Sequence, residues 1–81
     1  MGIGDFYMKR EEYESAAERY RMLLNEYPGL GFDAATLYKL GVCYWEMNRK
    51  EEAERIFQSI VQNFEGNKYA AAAEERIASG D

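Results

Sequence analysis

The sequence predicts an all-α fold: an α-α superhelix of about two helix-turn-helix repeats followed by a C-terminal capping helix. Three observations predict it. The chain matches itself at an offset of 37 residues, the signature of a stacked repeat. Within each copy the apolar residues step by three and four, the spacing of one helix face, and no segment alternates with the period of a strand. Glycine, proline and asparagine fall between these stretches and divide them into helices.

The internal match runs through most of the chain. Gly4 matches Gly41, Tyr7 matches Tyr44, Met8 matches Trp45 and Ala16 matches Ala53. Tyr20 then pairs with Phe57, Leu23 with Ile60, Leu24 with Val61, Tyr27 with Phe64 and Gly29 with Gly66. A third, partial copy follows, with Phe32, Ala34 and Ala35 recurring as Tyr69, Ala71 and Ala72.

Five helices follow, over about 2–10, 12–27, 33–47, 50–64 and 68–78. Tyr13, Ala16/Ala17, Tyr20, Leu23/Leu24 and Tyr27 form the apolar stripe of the second, and Ala53, Ile56/Phe57, Ile60/Val61 and Phe64 that of the fourth. Leu37, Leu40/Gly41 and Tyr44/Trp45 give the third the same stripe. Arg10-Glu11 and Met47-Asn48-Arg49 make tight turns within the two pairs, so each pair is antiparallel. Pro28-Gly29-Leu30-Gly31 joins the pairs, with Asp33 placed to cap the next helix, and Glu65-Gly66-Asn67 leads into the last one. The whole chain reads as a single domain over 1–81: a first repeat over about 1–30, truncated at its start, a second over about 33–66, and a capping helix over about 68–78.

Composition excludes several classes of function. The chain has 81 residues, 15 acidic against 10 basic, and a net charge of −5. That balance disfavours nucleic acid and anionic lipid, which are captured by basic patches. No stretch approaches the 18 or so apolar residues of a membrane span, so direct membrane insertion is not expected. Met1-Gly2-Ile3-Gly4-Asp5 has neither a basic nor an apolar leader segment, so the chain as given carries no targeting signal. Seven tyrosines and four methionines supply much of the apolar character.

Nothing in the residue inventory points to catalysis, a cofactor or a metal. With no histidine, Ser15, Ser59 and Ser79 lack an imidazole base, and most zinc sites are ruled out. Cys43, the sole cysteine, lies between Val42 and Tyr44 with no cation to lower its pKa, and reads as a small packed residue. Its oxidation is still expected to allow cross-linking of two chains in vitro. Glu11/Glu12, Glu51/Glu52 and Glu74/Glu75 are adjacent on helices and point about 100° apart, so neither member of a pair converges on the other's target. Glu51 and Arg55 have the spacing of a supporting ion pair. Gly29 and Gly31 follow a helix rather than a strand, unlike a phosphate loop.

The motif within each copy carries the family resemblance. Leu37-x2-Leu40-Gly41-x2-Tyr44 leads to Ala53-x3-Phe57, with Glu65 where the pattern ends in proline; the first copy reads Ile3-Gly4-x2-Tyr7, Ala16-x3-Tyr20, Pro28. This resembles the tetratricopeptide repeat. The resemblance implies that Gly4 and Gly41 let the partner helix approach, that Ala16 and Ala53 are the small residues facing them, and that Tyr20 and Phe57 fill the gap between successive pairs. The period exceeds the usual 34 by three residues, accommodated at Leu30-Gly31-Phe32. With Phe6, Tyr7, Lys9, Arg10, Tyr13, Ala16, Ala17, Tyr27 and Pro28, that lengthened form resembles the C-terminal repeats of BamD-type outer-membrane-assembly lipoproteins; the Tol-Pal-associated periplasmic repeat proteins share the longer loop. The BamD-type resemblance implies partners in the β-barrel assembly machine, reached through a periplasmic domain of the barrel subunit, and a location at the periplasmic face of the outer membrane. The alternative is a generic or self-associating adaptor of the same repeat class, periplasmic or cytoplasmic.

What the sequence offers for recognition is a surface. In a curved stack the first helix of each pair lines the concave side, which by register carries Asp5, Met8, Lys9, Tyr38, Val42, Trp45 and Glu46 as candidates for binding a protein or peptide partner. Met8 and Trp45 occupy equivalent positions and predict a ridge; the alternative is that Trp45 packs against the final helix. Tyr44, Leu37, Leu40, Phe57 and Ile60 are expected in the core. Family members that hold chaperone tails use a basic and amide clamp, and the matching positions here are Asp5 and Val42, so that mode is not expected. An acidic chain with this groove is expected to prefer an apolar or basic segment. The polar side of the last helix suits a cap, whereas the first helix is short and uncapped, so some tendency to form a homodimer or to swap that helix is expected.

Overall fold

In a computed structural model, residues 2–26, 29 and 33–79 are described. They form α1 (Gly2–Lys9), α2 (Tyr13–Glu26), α3 (Asp33–Glu46), α4 (Lys50–Asn63) and α5 (Lys68–Ser79), with no strand among the described residues. All five expected helices are present, each end within two residues of its expected place. The expectations that rest on Tyr27, Pro28 and the Leu30-Gly31-Phe32 insertion lie outside the described residues.

The 37-residue period is written into the backbone as well as the sequence. Glu11 and Asn48, 37 apart, both take left-handed φ, at 60° and 64°. In the first turn the N–H groups of Glu11 and Glu12 donate to the carbonyls of Met8 and Tyr7. In the second, those of Asn48 and Arg49 donate to the carbonyls of Trp45 and Tyr44. Each turn thereby satisfies carbonyls left open at a helix end and reverses the chain within three residues. Asn48 tolerates this conformation better than Glu11, which has no such preference.

The other two helix starts are built differently. The Asn67 side chain accepts the Tyr69 N–H at 2.8 Å, a cap for α5. Asp33 does not stand before its helix but opens it, and its carboxylate accepts the Gly29 N–H at 3.1 Å. That bond ties the incoming loop to α3.

Each helix packs on the next in order, and α3 also touches α5. The core runs along this stack through Ala16, Ala17, Tyr20, Leu40, Cys43, Tyr44, Ala53, Phe57, Ile60, Ala70 and Ala73. Leu40, Tyr44, Phe57 and Ile60 are buried as expected, and Leu37 is half-buried against them. Cys43 is wholly buried, and its thiol donates to the Met8 sulfur at 3.5 Å. A sulfur without solvent contact cannot meet another chain while the fold persists, so the expected cross-linking route is closed in the native state.

The glycine and aromatic positions refine one expectation. Tyr20 and Phe57 fill space inside their own pair, and Phe57 also reaches the next helix, with Arg76 over its ring. A Cβ on Gly4 would lie 2.4 Å from Tyr20 Cε1, and a Cβ on Gly41 would lie 2.6 Å from Phe57 Cε1. Each ring therefore occupies the volume that a side chain on the facing helix would need. That use accounts for glycine inside a helix despite a propensity cost of about 1 kcal/mol.

The two copies differ in one instructive place. The Tyr20 hydroxyl donates to Asp5 at 2.5 Å, and the Lys39 ammonium bridges the same carboxylate at 2.9 and 3.1 Å. Thirty-seven residues on, Phe57 replaces Tyr20 and Val42 replaces Asp5. The hydroxyl and its acceptor are present together or absent together, as burial of polar groups requires. Elsewhere Arg10 pairs with Glu12 at 2.6 Å and Arg49 with Glu52 at 2.7 Å, whereas Glu51 and Arg55 form no pair.

Candidate partner-binding face

α1, α3 and α5 begin at intervals close to the 37-residue period, and α3 and α5 touch directly, as the first helices on the inner side of a helical stack do. A cleft of about 380 Å³ lies between α3 and α5, lined by Tyr38, Trp45, Ala72, Glu75, Arg76 and Ser79. Tyr38 and Trp45 stand seven residues apart on α3, two turns along one face.

Both aromatics are half-buried and held by their surroundings. The Tyr38 ring leans on Phe57 at 5.6 Å and on Tyr69 at 5.8 Å, and its hydroxyl accepts from Arg76 Nε at 3.3 Å. The Arg76 guanidinium lies 5.9 Å from the Tyr38 ring centre and 5.8 Å from that of Phe57. Trp45 has the Lys50 ammonium 5.0 Å from its ring centre. Trp45 forms one wall of the cleft and faces the last helix across it.

The remaining predicted residues fall at different depths. Val42 is half-buried between Tyr38 and Trp45 in sequence and packs on the core. Met8 is half-buried and turned to Cys43, so it supports the core beside α3. Asp5 is engaged by Tyr20 and Lys39. Burial alone would raise its pKa, but the Tyr20 hydrogen bond and then the Lys39 ammonium hold it below the ordinary carboxylate value. Lys9 and Glu46, equivalent by register, are exposed at the ends of α1 and α3.

Ala72, Glu75, Arg76 and Ser79 were absent from the sequence-based list. A second step of 37 places Glu75 on Tyr38 and Ser79 on Val42, so the register contained the signal. Among the described residues no group of three or more histidine, cysteine, aspartate or glutamate side chains is placed to hold a metal ion, and no helix is long and apolar enough to cross a membrane.

A paired-helix stack with a glycine-aromatic lock in each pair defines a helical-repeat protein. The sequence matches the tetratricopeptide repeat family over residues 3–77, and the chain belongs to that family. Such repeats generally mediate protein–protein interaction. Comparison with curated proteins gives no match.

Proposed function

We propose that the chain is a non-enzymatic scaffold and that the cleft between α3 and α5 holds a short segment of a protein partner. The observation that carries this reading is the pair Tyr38 and Trp45, half-exposed along one wall and braced by Arg76 and Lys50. Rigid aromatics of this kind concentrate binding energy at protein interfaces. Glu75 and the net charge of −5 favour a segment that is apolar with a basic residue at its edge. Asp5, Met8, Lys9, Val42 and Glu46 extend the same side of the stack as a supporting surface.

The test uses a peptide selected from a display library against the whole chain. Trp45→Ala weakens its binding by more than about 1 kcal/mol in calorimetry, with the circular dichroism of the helices unchanged. Equal affinity for both proteins sinks the proposal.

The partner itself is proposed from the sequence resemblance through Phe6, Tyr7, Lys9, Arg10, Tyr13, Ala16 and Ala17. On that reading it is a periplasmic domain of the outer-membrane barrel subunit, and the chain works at the periplasmic face of the outer membrane. Failure of a purified periplasmic domain of this kind to bind removes that partner and leaves the cleft proposal standing.

A further inference from the structure

The end of the stack formed by α1 and α2 exposes positions that the second pair keeps buried. Ile3 and Phe6 are 56% and 55% exposed, whereas Leu40 and Cys43, 37 residues further on, are 5% and 0% exposed. The second pair covers those positions by packing on the first, as the Cys43–Met8 contact records. On α2, Met22 is 41% exposed, and with Ile3, Gly4 and Leu23 it lines a shallow apolar cleft between Arg19 and Glu26.

The charges on this face say what covers it. Arg19 and Glu26 lie seven residues apart on α2, so they share a face about 10 Å apart along the axis. If the α2 helices of two copies cross antiparallel about a two-fold axis between Met22 and Leu23, Arg19 meets Glu26 of the partner subunit. The symmetry forms that pair twice. In the second helix pair the same positions hold Ile56 and Asn63, and Ile56 packs against the core. An apolar centre with a self-complementary charged rim is the layout of an isologous interface.

We propose that this end joins two copies of the chain in a two-fold dimer, with Ile3, Met22 and Leu23 at the centre, Phe6 beside them, and two Arg19–Glu26 pairs at the rim. The cleft between α3 and α5 lies elsewhere on the chain and stays open in the dimer.

Sedimentation of the full chain from micromolar to millimolar concentration tests this. The wild type gains mass with concentration toward twice the monomer. Arg19→Glu and Glu26→Arg each bring like charges together twice and weaken dimerisation by about tenfold. The doubly reversed variant R19E/E26R restores the pairs and returns the dissociation constant to the wild-type range, with the helix signal constant throughout. A wild type that remains monomeric overturns the proposal, and so does a double variant that dimerises no better than the single ones.

Discussion

Replacing Gly41 with alanine sets two known effects against each other and so tests the packing directly. Alanine in a helix interior is favoured over glycine by about 1 kcal/mol. The new methyl would stand 2.6 Å from Phe57 Cε1 and 2.9 Å from Cζ. Ordinary contact begins near 3.4 Å, so the ring must retreat by about 0.8 Å, the difference of those two distances. It has nowhere to go, since Phe57 is wholly buried, with Tyr38 on one side and Arg76 over its face. Overpacking a rigid site costs about 1–3 kcal/mol, and a stiff enclosed ring belongs at the upper end. The net expectation is a loss of about 2 kcal/mol, equivalent to a fall in Tm of about 8–16 °C for a domain of this size. Urea denaturation measures it. Trimming the ring in the double variant G41A/F57L should recover part of the loss, because a leucine lacks the offending edge. A Gly41→Ala protein as stable as the wild type would refute the reasoning, since helix propensity would then have outweighed a contact that is not there.

Other perturbations follow from the same geometry. Asp5→Val strands the Tyr20 hydroxyl in the core and should cost about 1–3 kcal/mol, whereas Asp5→Val with Tyr20→Phe, the combination already present as Val42 and Phe57, should cost less than the sum of the single changes by thermal unfolding. Asp5 is held below the ordinary carboxylate pKa, so its share of stability is complete above that value and is lost as acidification passes its folded pKa. Burial, reinforced by the Asp5 bond, raises the Tyr20 pKa, so its share is present below the ordinary tyrosine value near 10 and is lost as pH rises beyond it; the double variant should flatten both limbs of a stability–pH curve. Glu11→Gly relieves a left-handed residue and should add about 0.5–1 kcal/mol in the same assay, while Asn48→Gly should change less. Burial pushes the Cys43 thiol up to about 11, so at neutral pH alkylation should proceed only as fast as the protein unfolds, and rapid labelling of the folded chain would contradict its buried position.

The helices and their pairing were legible because the information is local and repeated: apolar steps of three and four, turn residues between them, and a second copy that checks the first. Gly4 and Gly41 were legible as close approaches for the same reason. Which ring makes the approach was not, because Tyr20 and Phe57 sit on helix faces that reach both their own pair and the next, and sequence spacing alone does not choose. The carboxylate of Asp5 read as a surface group, since its hydroxyl partner lies 15 residues away and its ammonium partner 34. The loss of both hydroxyl and carboxylate in the second copy was the available clue. Register placed Tyr38 and Trp45 on one face of α3, the face that lines the cleft. Its opposite wall, with Glu75, Arg76 and Ser79, was obscured because polar residues on a terminal helix suit a cap and a binding surface equally well.

The most direct check on the repeat geometry is the proton NMR of two glycines. With Tyr20 packed over Gly4 and Phe57 over Gly41, the α-protons of both glycines should be shifted by the rings and should show nuclear Overhauser contacts to the aromatic protons of Tyr20 and Phe57 respectively. Ordinary helical glycine shifts at both positions, with no contact to either ring, would contradict the account from its first step.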